Sequence, residues 1–211
     1  MALSKRHPAA LFAVLAVALG TTGAAYAAVS AQTAPKVVAK TETQVEQGKQ
    51  LFLEGCSSCQ GASDGPSLLG VGAASVDFQV GTGRMPLAAP GVQAMPKMPS
   101  YNAEETAALA AYIATLGAGP GIPTAEMLDT TNAELALGGE LFRTNCAQCH
   151  GASAVGGALS EGRKAPSLMD ADAKNLYEAM VTGPQSMPVF ADSTLSVEDK
   201  QHIIAYVAEL Q

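Results

Sequence analysis

Tryptophan is absent from the 211 residues, aromatic side chains supply only 5% of them, and there are only three histidines. Positive charge is also scarce, with 12 Lys plus Arg against 19 Asp plus Glu and a formal net charge of −7. The chain therefore lacks the basic footprint and the stacking rings by which proteins hold nucleic acid, and no nucleic-acid partner is expected. It also lacks a Ser/His/Asp order, a phosphate-binding P-loop and a dinucleotide-binding glycine string. Its neighbouring carboxylates, Glu104-Glu105, Asp170 with Asp172, and Glu198-Asp199, fit helix N-termini rather than a catalytic acid pair. By contrast, the chain is 48% hydrophobic and carries 21 Gly and 12 Pro, which rules out wholesale disorder and points to a core with long loops.

The first residues have a targeting pattern. Lys5 and Arg6 precede an apolar run from Ala9 to Ala28 that ends in Ala25-Tyr26-Ala27, and a second small-x-small triplet, Val29-Ser30-Ala31, follows. Signal peptidases cut after such triplets. Residues 1–31 are expected to be a signal peptide or, because about 20 apolar residues just span a bilayer, an N-terminal membrane anchor. Cleavage would leave a net charge of −9. Either way the remainder is exported, and residues 32–41, which have no helical or strand period, read as a tether.

The rest of the chain is a duplication. Residues 48–63 read GKQLFLEGCSSCQGAS and 138–153 read GGELFRTNCAQCHGAS, with 8 of 16 positions identical at an offset of 90. Pro66-Ser67-Leu68 recurs as Pro166-Ser167-Leu168, and the Thr82–Pro86 string recurs, lengthened, at 182–188. The cluster from Gly117 to Pro123 is the strongest breaker and separates the copies. The expected organisation is one domain over 42–119, a linker over 120–130 and a second domain over 131–211. Apolar spacing predicts a helix before each cysteine pair, through Val45, Gly48, Leu51 and Phe52, and again through Leu135, Gly138, Leu141 and Phe142. Gly48 and Gly138 would let two helices approach closely. Closing helices are signalled by Asn102 with Glu105 and by Ser196 with Asp199, which fit capping boxes. The fold class is all-α, with no period-2 run. Each copy is small and poor in large side chains, so a bulky apolar cofactor would fill its middle.

All four cysteines lie in two C-x-x-C pairs, Cys56 with Cys59 and Cys146 with Cys149. In an exported chain the default reading is disulfides, but scattered staples rarely arrive as two tight pairs. The second pair continues into His150, and C-x-x-C-H is the attachment string of c-type haem. Two thiols three apart on a turn reach the two vinyl groups along one haem edge, and the adjoining imidazole then lies under the iron. The sixth ligand should be a thioether, and Met187 in its Gly-Pro-x-x-Met-Pro loop is the leading candidate, ahead of Met169 and the core-like Met180. A carbonyl near Pro166 could accept the imidazole N–H. His202, beside Ile203 and Ile204 but off their face, reads as a solvated helix histidine.

The first pair ends in Gln60 where the second has His150, and residues 42–119 contain no histidine. Either this copy binds no haem, its thiols free or joined, or haem attaches through both thiols with a poor proximal ligand. Met85 and Met98 are even candidates for its distal side, with Met95 third. A rival of another class is a zinc or thiol-exchange protein built on the C-x-x-C pairs.

From Thr43 to Gln211 the chain resembles the dihaem cytochrome c subunit of the actinobacterial menaquinol–cytochrome c reductase, the bcc complex. The strings that carry this are GKQLF, CSSC, GPSLLGVGAA, TGRMP, GGELFRTNCAQCHG, GGAL, TGPQSMP and IIAYV, in tandem order. The resemblance implies two tandem class I cytochrome c domains with long haem-wrapping loops. It implies two haems c, one on Cys56 and Cys59 and one on Cys146 and Cys149. It implies proximal ligation by His150 and distal ligation by Met187 and Met85, while Gln60 stands in the proximal position of the first haem. It further implies an electron-transfer subunit on the extracytoplasmic side of the membrane. Cytochrome b, a Rieske iron–sulfur protein and a haem–copper terminal oxidase would be its partners, with no quinol-oxidising site in this chain. Members of that family continue into a C-terminal transmembrane helix, whereas this chain stops at Gln211, which implies either truncation or anchoring by the N-terminal segment. The alternative is a free exported dihaem or monohaem carrier.

Overall fold

The computed structural model describes residues 16–21, 42–60 and 65–211. The chain divides into two units, Met1–Val38 and Ala39–Gln211. In the first, residues 16–21 form an exposed helical turn. The cleavage triplets, the tether, His7 and the repeated Gly-Ala-Ser at 61–63 lie outside the described residues. Among the described residues no helix is long and apolar enough to cross a membrane.

The second unit is mostly helical. Its elements are α1 (Glu42–Gly55), α2 (Ser57–Gln60), α3 (Gly72–Gly81), α4 (Ala103–Ile113), α5 (Leu135–Asn145), α6 (Ala147–His150), α7 (Ala173–Thr182) and α8 (Val197–Leu210). A two-residue antiparallel ladder, β1 (Gly157–Ala158) with β2 (Lys164–Ala165), departs from the all-α expectation. Two residues are too few to show an alternating pattern, so nothing in the sequence marks it.

The same helix crossing occurs twice. Gly48 of α1 packs on the Ala108 carbonyl of α4, and Gly138 of α5 packs on the His202 carbonyl of α8. A Cβ at either glycine would collide with that carbonyl and lie 3.0 Å from the Cβ of Tyr112 or Tyr206. The close approach brings together Phe52 and Tyr112, 5.5 Å apart at 50°, and Phe142 and Tyr206, 5.6 Å apart at 46°. Tilted ring pairs at this distance are favourable beyond their buried area. Both closing helices start at complete capping boxes, Asn102 with Glu105 and Ser196 with Asp199.

The two halves differ in what fills them. In the second, Phe142, Leu176, Tyr177, Met180, Phe190, Leu195, Ile203, Ile204 and Val207 form the core, and Met127 and Leu128 from the 120–130 segment pack against it. Full burial of a side chain such as Phe142 contributes roughly 1.5–3 kcal/mol. In the first half the buried apolar residues are mostly alanines, Ala74, Ala108, Ala110 and Ala111 among them, with Phe78, Leu109 and Ile113.

Where α3 meets α7, two carboxyl groups face each other. Glu178 has no solvent exposure and Asp77 is 8% exposed. Lys174, one turn before Glu178, pairs with Asp77 at 2.5 Å. Burial, then the Asp77 charge, raises the Glu178 pKa from 4.5 to about 9, so Glu178 stays protonated at neutral pH.

Candidate functional site

Each C-x-x-C pair sits where one helix breaks and a single turn begins. The Cys146 N–H donates to the Phe142 carbonyl at 2.8 Å, and the Cys146 carbonyl accepts from Cys149 at 3.1 Å and from His150 at 2.9 Å. The first pair repeats this turn. Cys56 donates to Phe52 at 2.9 Å, and Cys59 and Gln60 donate to the Cys56 carbonyl at 3.2 and 3.0 Å. In both, the first cysteine is half-buried and the second exposed, and no disulfide joins either pair. Two sulfurs are thus presented on one turn, which is the arrangement needed to hold a flat group along one edge.

His150 is 8% exposed, and its Nδ1 lies 2.9 Å from the Pro166 carbonyl. A carbonyl can only accept, so Nδ1 carries the proton and Nε2 keeps its lone pair. Burial lowers the imidazole pKa, against the smaller opposing effect of the Pro166 hydrogen bond, so the ring is held neutral. A neutral imidazole with one nitrogen tied to the backbone and the other free is the form in which histidine ligates metal. The Pro166 carbonyl is thus where the sequence suggested it. Gly156 makes this possible, because its φ is +85° and a Cβ there would strike the Ala165 carbonyl and Pro166.

The remaining candidates fall around these turns. Met187 is half-buried in the loop after α7, packed against the second core, while Met180 lies inside that core at 4% exposure. Met169 packs at its edge. In the first half Met85 is half-buried and lines a cleft with Leu87, Val92 and Arg163, whereas Met95 and Met98 are 59% and 88% exposed. The Met98 loop nevertheless passes close by, since Gly83 packs on the Lys97 and Met98 backbone much as Gly183 packs on Met187 and Val189. Gln60 is half-buried, and among the described residues its buried Oε1 has no hydrogen-bond partner. His202 is corrected by the structure. It is half-buried, and its Nδ1 accepts the Glu134 N–H at 2.9 Å, capping the start of α5. Its partner lies 68 residues away, beyond the reach of a local pattern.

The first thiol of each pair is shifted toward its protonated form. Burial pushes Cys146 up to about 11, with Cys149 adding to the effect. Cys56 is also raised, chiefly by burial. A thiol-exchange pair needs the opposite shift, toward thiolate. Among the described residues, no three His, Cys, Asp or Glu side chains gather as a zinc site would require.

A family model described as cytochrome c oxidase, cbb3-type, subunit III matches residues 133–207, which places the second half among cytochrome c domains. The cytochrome bc1 complex cytochrome c subunit of Corynebacterium diphtheriae is 41% identical over 217 aligned positions, covering 92% of this chain and 77% of that protein. Its counterpart in Mycobacterium leprae is 44% identical over 207 positions, covering 92% and 71%. That of Mycobacterium tuberculosis is 43% identical over 187 positions, covering 82% and 67%. The chain belongs to the family of cytochrome bc1 complex cytochrome c subunits.

Proposed function

We propose that the chain is the dihaem electron-transfer subunit of a quinol–cytochrome c reductase, built as two tandem class I cytochrome c domains over 42–119 and 131–211. Family membership and the paired cysteine turns support this reading. The single observation that carries it is the buried, neutral His150 beside Cys146 and Cys149, its Nδ1 tied to Pro166. Haem c, when bound, supplies a one-electron couple at iron. Cys146 and Cys149 would hold it covalently in the second half, and Cys56 and Cys59 in the first. His150 would supply Nε2 to the iron and Met187 a soft sulfur, a ligand type that raises the potential of such sites. His150 is buried and Met187 half-buried.

The first half fits the group at its sulfurs but not at its proximal position. Gln60 offers only an amide oxygen, and that oxygen is buried without a partner among the described residues. Met85 is its proposed distal ligand. The interior of this half is mostly small alanine side chains, which a large apolar ring would supplement as core. In the assembled complex a Rieske iron–sulfur protein would donate electrons and a haem–copper oxidase would accept them, with cytochrome b as the membrane neighbour. Residues 1–31 would export the chain to the extracytoplasmic side as a signal peptide or hold it there as an anchor.

Affinity purification of the tagged full chain from its own membranes tests complex membership. Cytochrome b and Rieske subunits should co-purify, and menaquinol should reduce the chain's haem in the isolate. A chain recovered alone, and reduced only by small-molecule donors, contradicts membership and favours a free carrier.

A further inference from the structure

Two glutamines join the halves in a reciprocal way. Gln93, in the loop that follows Met85, donates from Nε2 to the Lys164 carbonyl at 2.7 Å, and its Oε1 accepts the Lys164 N–H at 2.9 Å. Gln185 of the second half does the same to Ala94. Its Oε1 accepts the Ala94 N–H at 2.9 Å, and its Nε2 donates to the Ala94 carbonyl at 3.1 Å. Each amide thus reads both polar groups of one residue across the junction, and those partners fix which end of each amide is oxygen.

The sites of attachment are not arbitrary with respect to the second centre. Lys164 is two residues before Pro166, whose carbonyl orients His150. Gln185 is two residues before Met187, and a turn bond from the Met187 N–H to the Pro184 carbonyl at 3.1 Å encloses it. Adjacent residues of one first-half loop, Gln93 and Ala94, therefore hold the segment behind His150 and the segment in front of Met187 together. Within the second half Arg163 adds a cross-tie, donating from Nη1 to the Ser186 hydroxyl at 2.8 Å. Gln185 also has φ +59°, a left-handed conformation that costs a non-glycine residue energy and persists where surrounding contacts impose it.

We infer that Gln93 and Gln185 are positioning residues for the second centre, clamping a first-half loop across the two segments that carry its axial groups. This rests on the reading of His150 and Met187 as axial ligands. The clamp stiffens both segments against the opening by which an axial sulfur leaves, and it makes the first half a structural part of the second half's centre.

The test uses the full chain matured with haem. Gln93→Ala, Gln185→Ala, the double variant and Gln185→Gly are compared with the parent. The readouts are the sulfur-to-iron charge-transfer band, assigned by its loss in Met187→Ala, and the rate at which imidazole displaces that sulfur in the ferric protein. Circular dichroism and covalent haem content serve as controls for folding. The double variant should bind imidazole roughly five- to tenfold faster, the scale of one net hydrogen bond, with an unchanged dichroism spectrum. Gln185→Gly relieves the backbone strain but removes the clamp, so it should behave like Gln185→Ala. An imidazole rate and band unaltered in the double variant overturn the clamp while leaving the ligand reading intact. A parent protein with no sulfur–iron band overturns the ligand reading and the clamp with it.

Discussion

The contrast between positions 60 and 150 lies in a single donor atom. His150 gives one ring proton to a backbone carbonyl and retains a lone pair on the other nitrogen, whereas Gln60 holds a buried amide oxygen with no partner among the described residues. Replacing Gln60 by His should therefore raise covalent haem content or convert the first centre's spectrum to low spin. Stoichiometry and spectrum unchanged from the parent would count against the ligand argument. Met187→Ala should remove the low-spin signature of the second centre and lower its reduction potential, as loss of a thioether ligand does, and redox titration reads this directly. In the first half, Met85→Ala should alter the haem spectrum while Met98→Ala leaves it as it was; the reverse outcome would move the distal assignment to Met98. At this scale the turn that carries Cys146, Cys149 and His150, and its bond to the Pro166 carbonyl, were legible, because these residues follow one another in a spaced order. The role of His202 was not, because its partner is the Glu134 amide on a distant turn.

Helices α1 with α4 and α5 with α8 cross through glycine, and the crossing is the element that the duplication preserves best. Gly138→Ala places a methyl group against the His202 carbonyl, which neither backbone can yield easily, and should destabilise the fold by about 1–3 kcal/mol. Gly48→Ala should do likewise against Ala108. Denaturant titration of each variant checks this, and a variant as stable as the parent would show that the helices separate without cost. Helix positions and both capping boxes were readable in advance, since apolar spacing and Ser/Asn with an acid three residues later are local signals. The ladder of β1 and β2 was not, since two residues on each side leave no pattern to read.

Across the whole molecule, the junction between the halves was the least legible part. Nothing in the sequence links Asp77 to Glu178 or Gln93 to Lys164, because such pairs depend on how two helical units dock. The carboxyl pair makes a pH prediction with a definite sign. Glu178 keeps its proton in the folded chain up to about 9 and releases it near 4.5 when unfolded. Its contribution to stability is complete below 4.5 and is lost as pH rises to about 9, with a slope of about 1.4 kcal/mol per pH unit. Glu178→Gln removes the ionisation while keeping an amide that can donate to Asp77. Its thermal midpoint should therefore rise relative to the parent between pH 5 and pH 9, and a gap constant over that range would contradict the assignment.

The account stands on covalent attachment of haem to the paired cysteines, which intact-mass measurement with peptide mapping addresses directly. Chain produced in a host competent for cytochrome c maturation should carry one haem on the peptide containing Cys146 and Cys149 and a second on that containing Cys56 and Cys59. The alkaline pyridine haemochrome should return the same count. Free thiols at Cys146 and Cys149, in a colourless preparation from that host, would contradict it.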